Sequence, residues 1–197
     1  MSTVVDLLIV WHIINPMKKA LSTKEKLLIS ARKLFWARGY SNVSVRDLTK
    51  DAGVDVALVS RYYDGKLGLF KASIDGAFDW PELFAASDGQ FKDIVVAKLA
   101  DSLEQTEENS ALKMLILNSM DPEVGDYVRE AAKNCLIVPL QTILGGEKAR
   151  ERVALFLAVM IGASMMRNNL QVDGMANTSR LNYERQLRYL ADAALSY

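Results

Sequence analysis

Cysteine and histidine occur once each among the 197 residues, as Cys135 and His12, and only four prolines interrupt the chain. One cysteine excludes an intrachain disulfide, and no His/Cys set for zinc exists, so a reducing cytoplasm is the expected compartment. With its histidine confined to the first sixteen residues, the main body lacks a nucleophile–histidine pair, and no glycine-rich phosphate loop is present. Asp121 and Glu123 read as a helix cap and first-turn charge. The chain is therefore expected not to be an enzyme and to need no cofactor or metal. Net charge is missing as well: 24 basic residues balance 24 acidic ones, which argues against nucleic-acid binding over the whole surface. No apolar run reaches the ~20 residues that span a bilayer, so no membrane partner is expected.

The balance conceals an asymmetry. Residues Lys18 to Asp75 hold 12 Lys+Arg and 6 Asp+Glu, leaving 12 and 18 for the rest, so a basic N-terminal third is joined to an acidic remainder. Such a split suggests a localised anionic partner. Before it stands MSTVVDLLIVWHIINP, which lacks both the basic start and the small-residue cleavage site of a signal peptide. Met17 is read as the biological start and residues 1–16 as an over-extended frame; the alternative is an extra element packed on the body.

Helix signals are dense and strand signals nearly absent. Ser22-Thr-Lys-Glu25 has the form of a capping box, followed by Leu27, Ala31, Leu34 and Phe35 at helical spacing until Gly39. Ser44-Val-Arg-Asp47 opens a second helix that Ala52-Gly53 ends. Asp55 caps a third reaching about Tyr63, and Asp64-Gly65 precedes a fourth running from Lys66 towards Phe78. Longer helices are expected at 88–106, 109–119, 122–144, 147–170 and 179–196, the third capped by Asp121, started by Pro122, bent near Pro139 and closed by Gly145-Gly146. The segment VALFLAVMIGASMM, 153–166, is apolar almost all round, as expected if one side packs internally and the other on a second subunit. The last helix is expected to supply the partner surface in a four-helix interface. The fold class is all-α: a three-helix helix-turn-helix domain over 17–66 and a helical regulatory and dimerisation domain over 67–197.

A helix-turn-helix that reads DNA grips phosphates and offers a few side chains to base edges. On a helix starting at Asp55, the residues Val56, Ala57, Ser60 and Arg61 face outward while Leu58 and Val59 or Tyr63 turn inward. Arg61 can pair with guanine or phosphate, Tyr62 can bond a phosphate, and Lys66 sits just beyond the helix. Ser44, Val45 and Arg46 add amide donors at a positive helix end. The same spacing suits an ordinary three-helix core with a soluble surface, and the charge asymmetry favours the DNA reading.

The stretch TKEKLLISARKLFWARGYSNVSVRDLTKDAGVDVALVSRYYDGKLGLFKASI, 23–74, resembles the N-terminal DNA-binding domain of the TetR (tetracycline-repressor-like) family of bacterial transcriptional regulators. Its landmarks are Phe35, Gly39-Tyr40, Ser44 to Leu48, Ala52-Gly53-Val54 and Tyr63-Asp64-Gly65-Lys66. The resemblance implies a homodimer that represses from a palindromic double-stranded DNA operator, with Ser44, Arg46, Ala57, Ser60, Arg61, Tyr62 and Lys66 as contacts. Ser60 stands where many members have tyrosine, and Leu67-Gly68 replaces an acidic pair, which is expected to weaken that helix start. The segments 115–140 and 153–170, with Gly162 to Arg167 as Gly-small-small-x-x-Arg, are similar to one of the family's ligand-binding domains. That similarity implies dimerisation through the last two helices and a pocket for an unknown small-molecule effector. Trp80, Phe84, Phe91, Met114, Asn118, Tyr127, Met165 and Asn169 are its candidate lining, each also compatible with a core or dimer role. A dimeric helical binding module without sequence-specific DNA recognition is the alternative.

Overall fold

A computed structural model describes residues 21–78, Pro81, 90–101 and 111–197. The described residues form an all-helical chain. The N-terminal unit contains α1 (Thr23–Arg38), α2 (Val45–Ala52), α3 (Ala57–Tyr63) and α4 (Lys66–Ile74). It is followed by α5 (Gln90–Asp101), α6 (Ala111–Asn118), α7 (Gly125–Ala132), α8 (Val138–Leu144), α9 (Ala149–Ser164) and α10 (Arg180–Leu195). Residues 1–20, 79–80, 82–89 and 102–110 lie outside this description, and with them the leader, Trp80 and Phe84.

The expected capping box forms at α1: the Ser22 hydroxyl accepts from the Glu25 N–H at 3.2 Å, and Glu25 returns the favour to the Ser22 N–H at 2.7 Å. Gly39 closes the helix at φ 81°, a conformation that favours glycine. Leu27, Ala31 and Phe35, one helical face, are fully buried. Phe35, Tyr40 and Phe70 meet as an aromatic triad with ring centroids 5.1–5.6 Å apart. Each such ring buried in the core contributes ~1.5–3 kcal/mol. The α4 helix lies on α1, where the Arg32 guanidinium donates to the Ser73 and Asp75 carbonyls at 3.1 and 2.9 Å. It ends at Ile74 rather than near Phe78, because Asp75 leaves helical dihedrals and Gly76 takes a φ of 72°.

In the C-terminal unit α10 packs along both α5 and α9, and Phe91 meets Phe156 edge-on at 5.5 Å. The expected long helix over 122–144 begins later, at Gly125. Asp121 accepts from the Glu123 and Val124 N–H groups at 2.9 and 3.2 Å, so the aspartate caps a turn ahead of α7. Its expected bend takes the form of a π turn, Lys133–Ile137, joining α7 to α8. Pro139 has no N–H for the carbonyl four residues back, and a widened turn accommodates that loss. A second π turn, Met165–Asn169, ends α9. Arg167 there is buried, donates to the Met175 and Thr178 carbonyls and lies 4.2 Å over the Tyr183 ring, pinning the 170–179 connection to α10. On α9, Val153, Phe156 and Met160 turn inward, whereas Leu155, Met165 and Met166 are exposed, as are Leu181 and Tyr189 of α10.

Candidate nucleic-acid interface

Local chemistry fixes the start of α2. The Ser44 hydroxyl accepts from the Asp47 N–H at 3.1 Å, while Asp47 accepts from the Ser44 N–H and hydroxyl at 2.9 and 2.6 Å. These bonds, the side-chain one first, hold the Asp47 carboxyl below its ordinary range. Ser44 is thus both exposed and committed to its cap. Arg46, the second residue of α2, is exposed. The helix ends in left-handed Gly53, φ 66° and ψ 42°, and the Val54 N–H returns to the Thr49 carbonyl at 3.0 Å.

The Asp55 carboxylate accepts from the Ala57 N–H at 2.8 Å, an Asx turn, and α3 proper begins at Ala57 with Val56 at the cap position. The aspartate expected as the cap therefore acts from one residue further out. Val59 is buried and Leu58 and Tyr63 are half-buried, while Ala57, Ser60, Arg61 and Tyr62 are exposed. The Arg61 guanidinium carbon lies 5.9 Å from the Tyr62 ring centroid. The Tyr63 hydroxyl donates to the Lys24 carbonyl at 2.7 Å and ties the end of α3 to the start of α1. Asp64, at φ 57°, turns the chain into α4.

Lys66 is placed differently from the other six. It is half-buried, and its ammonium sits 3.9 Å from the centroid of the Tyr40 ring. Burial lowers its pKa, opposed by the charges of Glu123 and Asp121. Leu67-Gly68, expected only to weaken the start of α4, has a packing role. A Cβ on Gly68 would meet the Tyr63 carbonyl, with its carbon only 2.9 Å away, so the missing side chain lets α4 close against the end of α3.

Residues that sequence reasoning did not connect join this unit to the rest. The Tyr40 N–H donates to Asn118 Oδ1 at 2.7 Å, and the Tyr40 hydroxyl donates to Glu123 at 2.6 Å. The Ser41 hydroxyl donates to Asp121 at 2.6 Å. Burial first, and then the bond to Glu123, push the Tyr40 phenol well above its ordinary pKa. The aromatic landmark Gly39-Tyr40 was the signal available in the sequence; its partners, some eighty residues away, were read separately, Asn118 as pocket lining and Glu123 as first-turn charge.

The candidate pocket residues are dispersed among the described elements. Phe91 and Met114 are core residues, and Asn118 is fully buried with its amide engaged at the junction with Tyr40, Met114 and Phe35. Tyr127 is partly exposed beneath the Lys71 ammonium, while Met165 and Asn169 are exposed at the end of α9. An open groove of about 590 Å³ instead lies between the 170–179 connection and α10, lined by Met175, Thr178, Asn182, Arg185, Gln186 and Leu190 among others.

Comparison with known proteins agrees with this architecture. Residues 27–73 match the family described as bacterial regulatory proteins, tetR family, and residues 93–187 match a tetracyclin repressor-like C-terminal domain. A probable HTH-type transcriptional regulator, YttP of Bacillus subtilis (strain 168), is 48% identical over 50 residues, 25% of this chain and 24% of that protein. The match thus spans about a quarter of the curated relative. A TetR-family regulator from Streptomyces coelicolor A3 shares the fold with a TM-score of 0.56 at 24% identity, over 89% of this chain and 95% of the other. Another from Mesorhizobium loti has a TM-score of 0.60 at 15% identity, over 88% and 95%. With family matches in both units, and a helical architecture shared with such regulators over most of the chain, the protein belongs to the TetR family of bacterial transcriptional regulators.

Proposed function

We propose that the chain acts as a cytoplasmic homodimeric repressor that binds a palindromic operator and releases it when a small-molecule effector occupies the C-terminal unit. The observation that carries the DNA reading is the exposed set Ala57, Ser60, Arg61 and Tyr62 on a short helix whose other side is anchored by Val59 and the Tyr63–Lys24 bond. Arg61 supplies base readout or phosphate pairing, Tyr62 a phosphate bond, and Ser44 and Arg46 fix the register of α2 on the backbone. Lys66 is the further backbone contact.

Dimerisation is supported by the outward apolar residues of α9 and α10, Leu155, Met165, Leu181 and Tyr189, which a second copy would cover. Two reading helices then address successive major grooves ~34–36 Å apart, and an effector that changes their spacing weakens binding. Linkage requires DNA to weaken effector binding by the same factor. Phe91 and Met114 are retained as the inward apolar wall against which an effector would lie.

Selection from a random DNA library followed by footprinting tests this reading. A symmetric footprint, with affinity falling by a slope of ~0.9 per neutralised phosphate in log K against log salt, is expected. Failure to enrich any sequence would leave a dimeric binding module without sequence-specific recognition. A ligand found by thermal shift that leaves affinity for the selected operator unchanged would refute the switch.

A further inference from the structure

Two acids of the C-terminal unit and a cation of the N-terminal one converge on Tyr40 and Ser41. Asp121 and Glu123, in the turn between α6 and α7, receive the Ser41 and Tyr40 hydroxyls at 2.6 Å each. The Tyr40 ring carries the Lys66 ammonium at 3.9 Å from its centroid. Tyr40 is therefore held on one side by the regulatory unit and on the other holds the lysine that begins α4. Burial lowers the Lys66 pKa, and the charges of Glu123 and Asp121 oppose that lowering.

We propose that the Asp121–Glu123 turn is a carboxylate latch that retains Lys66 on Tyr40, so that the position of this turn sets how strongly Lys66 can grip a DNA phosphate. The inference rests on the DNA-binding reading above. A phosphate competes for this ammonium with the Tyr40 ring, whose hydroxyl is bonded to Glu123. Moving the α6–α7 turn towards Tyr40 strengthens the retention, and moving it away frees the cation. Tyr40 acts as a positioning residue: it does not touch DNA, and its hydroxyl transmits the place of Glu123 to the ring under Lys66. Asn118 fixes the backbone of the same tyrosine, so ring and hydroxyl cannot drift independently of α6.

The test uses the full chain and a fluorescein-labelled random-sequence duplex, read by anisotropy across a salt series, with circular dichroism confirming the fold of every variant. Glu123→Gln keeps an acceptor for the Tyr40 hydroxyl and removes the charge. It should tighten binding roughly 2–5-fold, the range of an exposed charge pair, and steepen the salt slope by up to ~0.9. Tyr40→Phe, which keeps the ring and drops the link to Glu123, should shift affinity in the same direction. In a Lys66→Ala background both gains should vanish. Asp126→Asn removes a charge from the same segment, where the side chain is exposed and paired with Arg129, and should leave the slope unchanged.

Unchanged binding for Glu123→Gln, a gain that survives Lys66→Ala, or an equal gain from Asp126→Asn would overturn the latch. Binding that depends on Arg61 but not on Glu123 overturns the latch alone. Absence of any binding by the unmodified protein at low salt overturns the DNA reading and the latch together.

Discussion

Replacing Asn118 by alanine should destabilise the fold out of proportion to the size of the group removed. Its side chain is fully buried and bonds three backbone groups: Oδ1 accepts from the Tyr40 N–H at 2.7 Å, and Nδ2 donates to the Met114 carbonyl at 2.8 Å and the Phe35 carbonyl at 3.4 Å. The Phe35 carbonyl keeps another partner, the Gly39 N–H at 3.0 Å, so it is not orphaned. The Tyr40 N–H loses its partner inside the protein. An unsatisfied buried donor costs ~1–3 kcal/mol, and the space left behind raises the total to ~2–4 kcal/mol. Against a typical total of ~5–15 kcal/mol this is a large fraction. Asn118→Asp has nearly the same shape yet should cost more, because a carboxylate replaces the N–H donors that face two carbonyls. Urea denaturation at fixed protein concentration, so that association contributes equally, reads both variants. Hydrogen exchange at the Tyr40 amide should accelerate in the alanine variant. A loss below ~0.5 kcal/mol for alanine, or a smaller loss for aspartate than for alanine, would refute the reasoning.

Gly68→Ala should lower stability by ~1–3 kcal/mol in thermal or urea unfolding, despite the better helix propensity of alanine, because the new Cβ meets the Tyr63 backbone and not a yielding side chain. Arg61→Ala should cost ~1–3 kcal/mol on a selected operator and relax preference at one base position, whereas Lys66→Ala should weaken all sequences alike and reduce the salt slope by about 1, both read by anisotropy. Asp47 and Asp51 have depressed folded pKa values, caused first by the Ser44 hydroxyl and by Lys33 respectively, so each contributes stability above the ordinary 3.8 that is lost as pH falls through the folded value. Acid unfolding followed by circular dichroism should accordingly show stability declining below about pH 4, and Ser44→Ala should make that decline shallower.

Where an interaction closes within a few residues, the sequence was a sufficient guide. Ser22 with Glu25, Ser44 with Asp47 and the left-handed Gly53 all appear at their expected places, because each cap depends on partners one turn away. The exposure of Val56, Ala57, Ser60 and Arg61 followed from period once Val59 faced the core. Asn118 shows where this ends. A buried amide in an apolar helix reads equally well as a pocket handle or a structural clasp, and its partner Tyr40 lies 78 residues away in the chain. Gly68 was legible as a departure from family pattern, yet its cause is a backbone carbonyl brought close only after the Asp64 turn. The apolar run at 153–166 announced a buried helix without saying which side would remain uncovered; the structure buries Val153, Phe156 and Met160 on a helix packed against α10, with Phe156 edge-on to Phe91 of α5.

The junction at Tyr40 bears on how such regulators can be recombined. A chimera that joins this N-terminal unit to another regulator's C-terminal domain would naturally be spliced in the segment after α4. That splice would leave Tyr40 in place and discard both of its partners. A recipient without an amide at the position of Asn118 would bury a backbone N–H unbonded, and one without an acid at the position of Glu123 would strand the phenol. The transplantable reading head is therefore discontinuous: residues 21–78 together with the short turn 118–123, grafted as a pair.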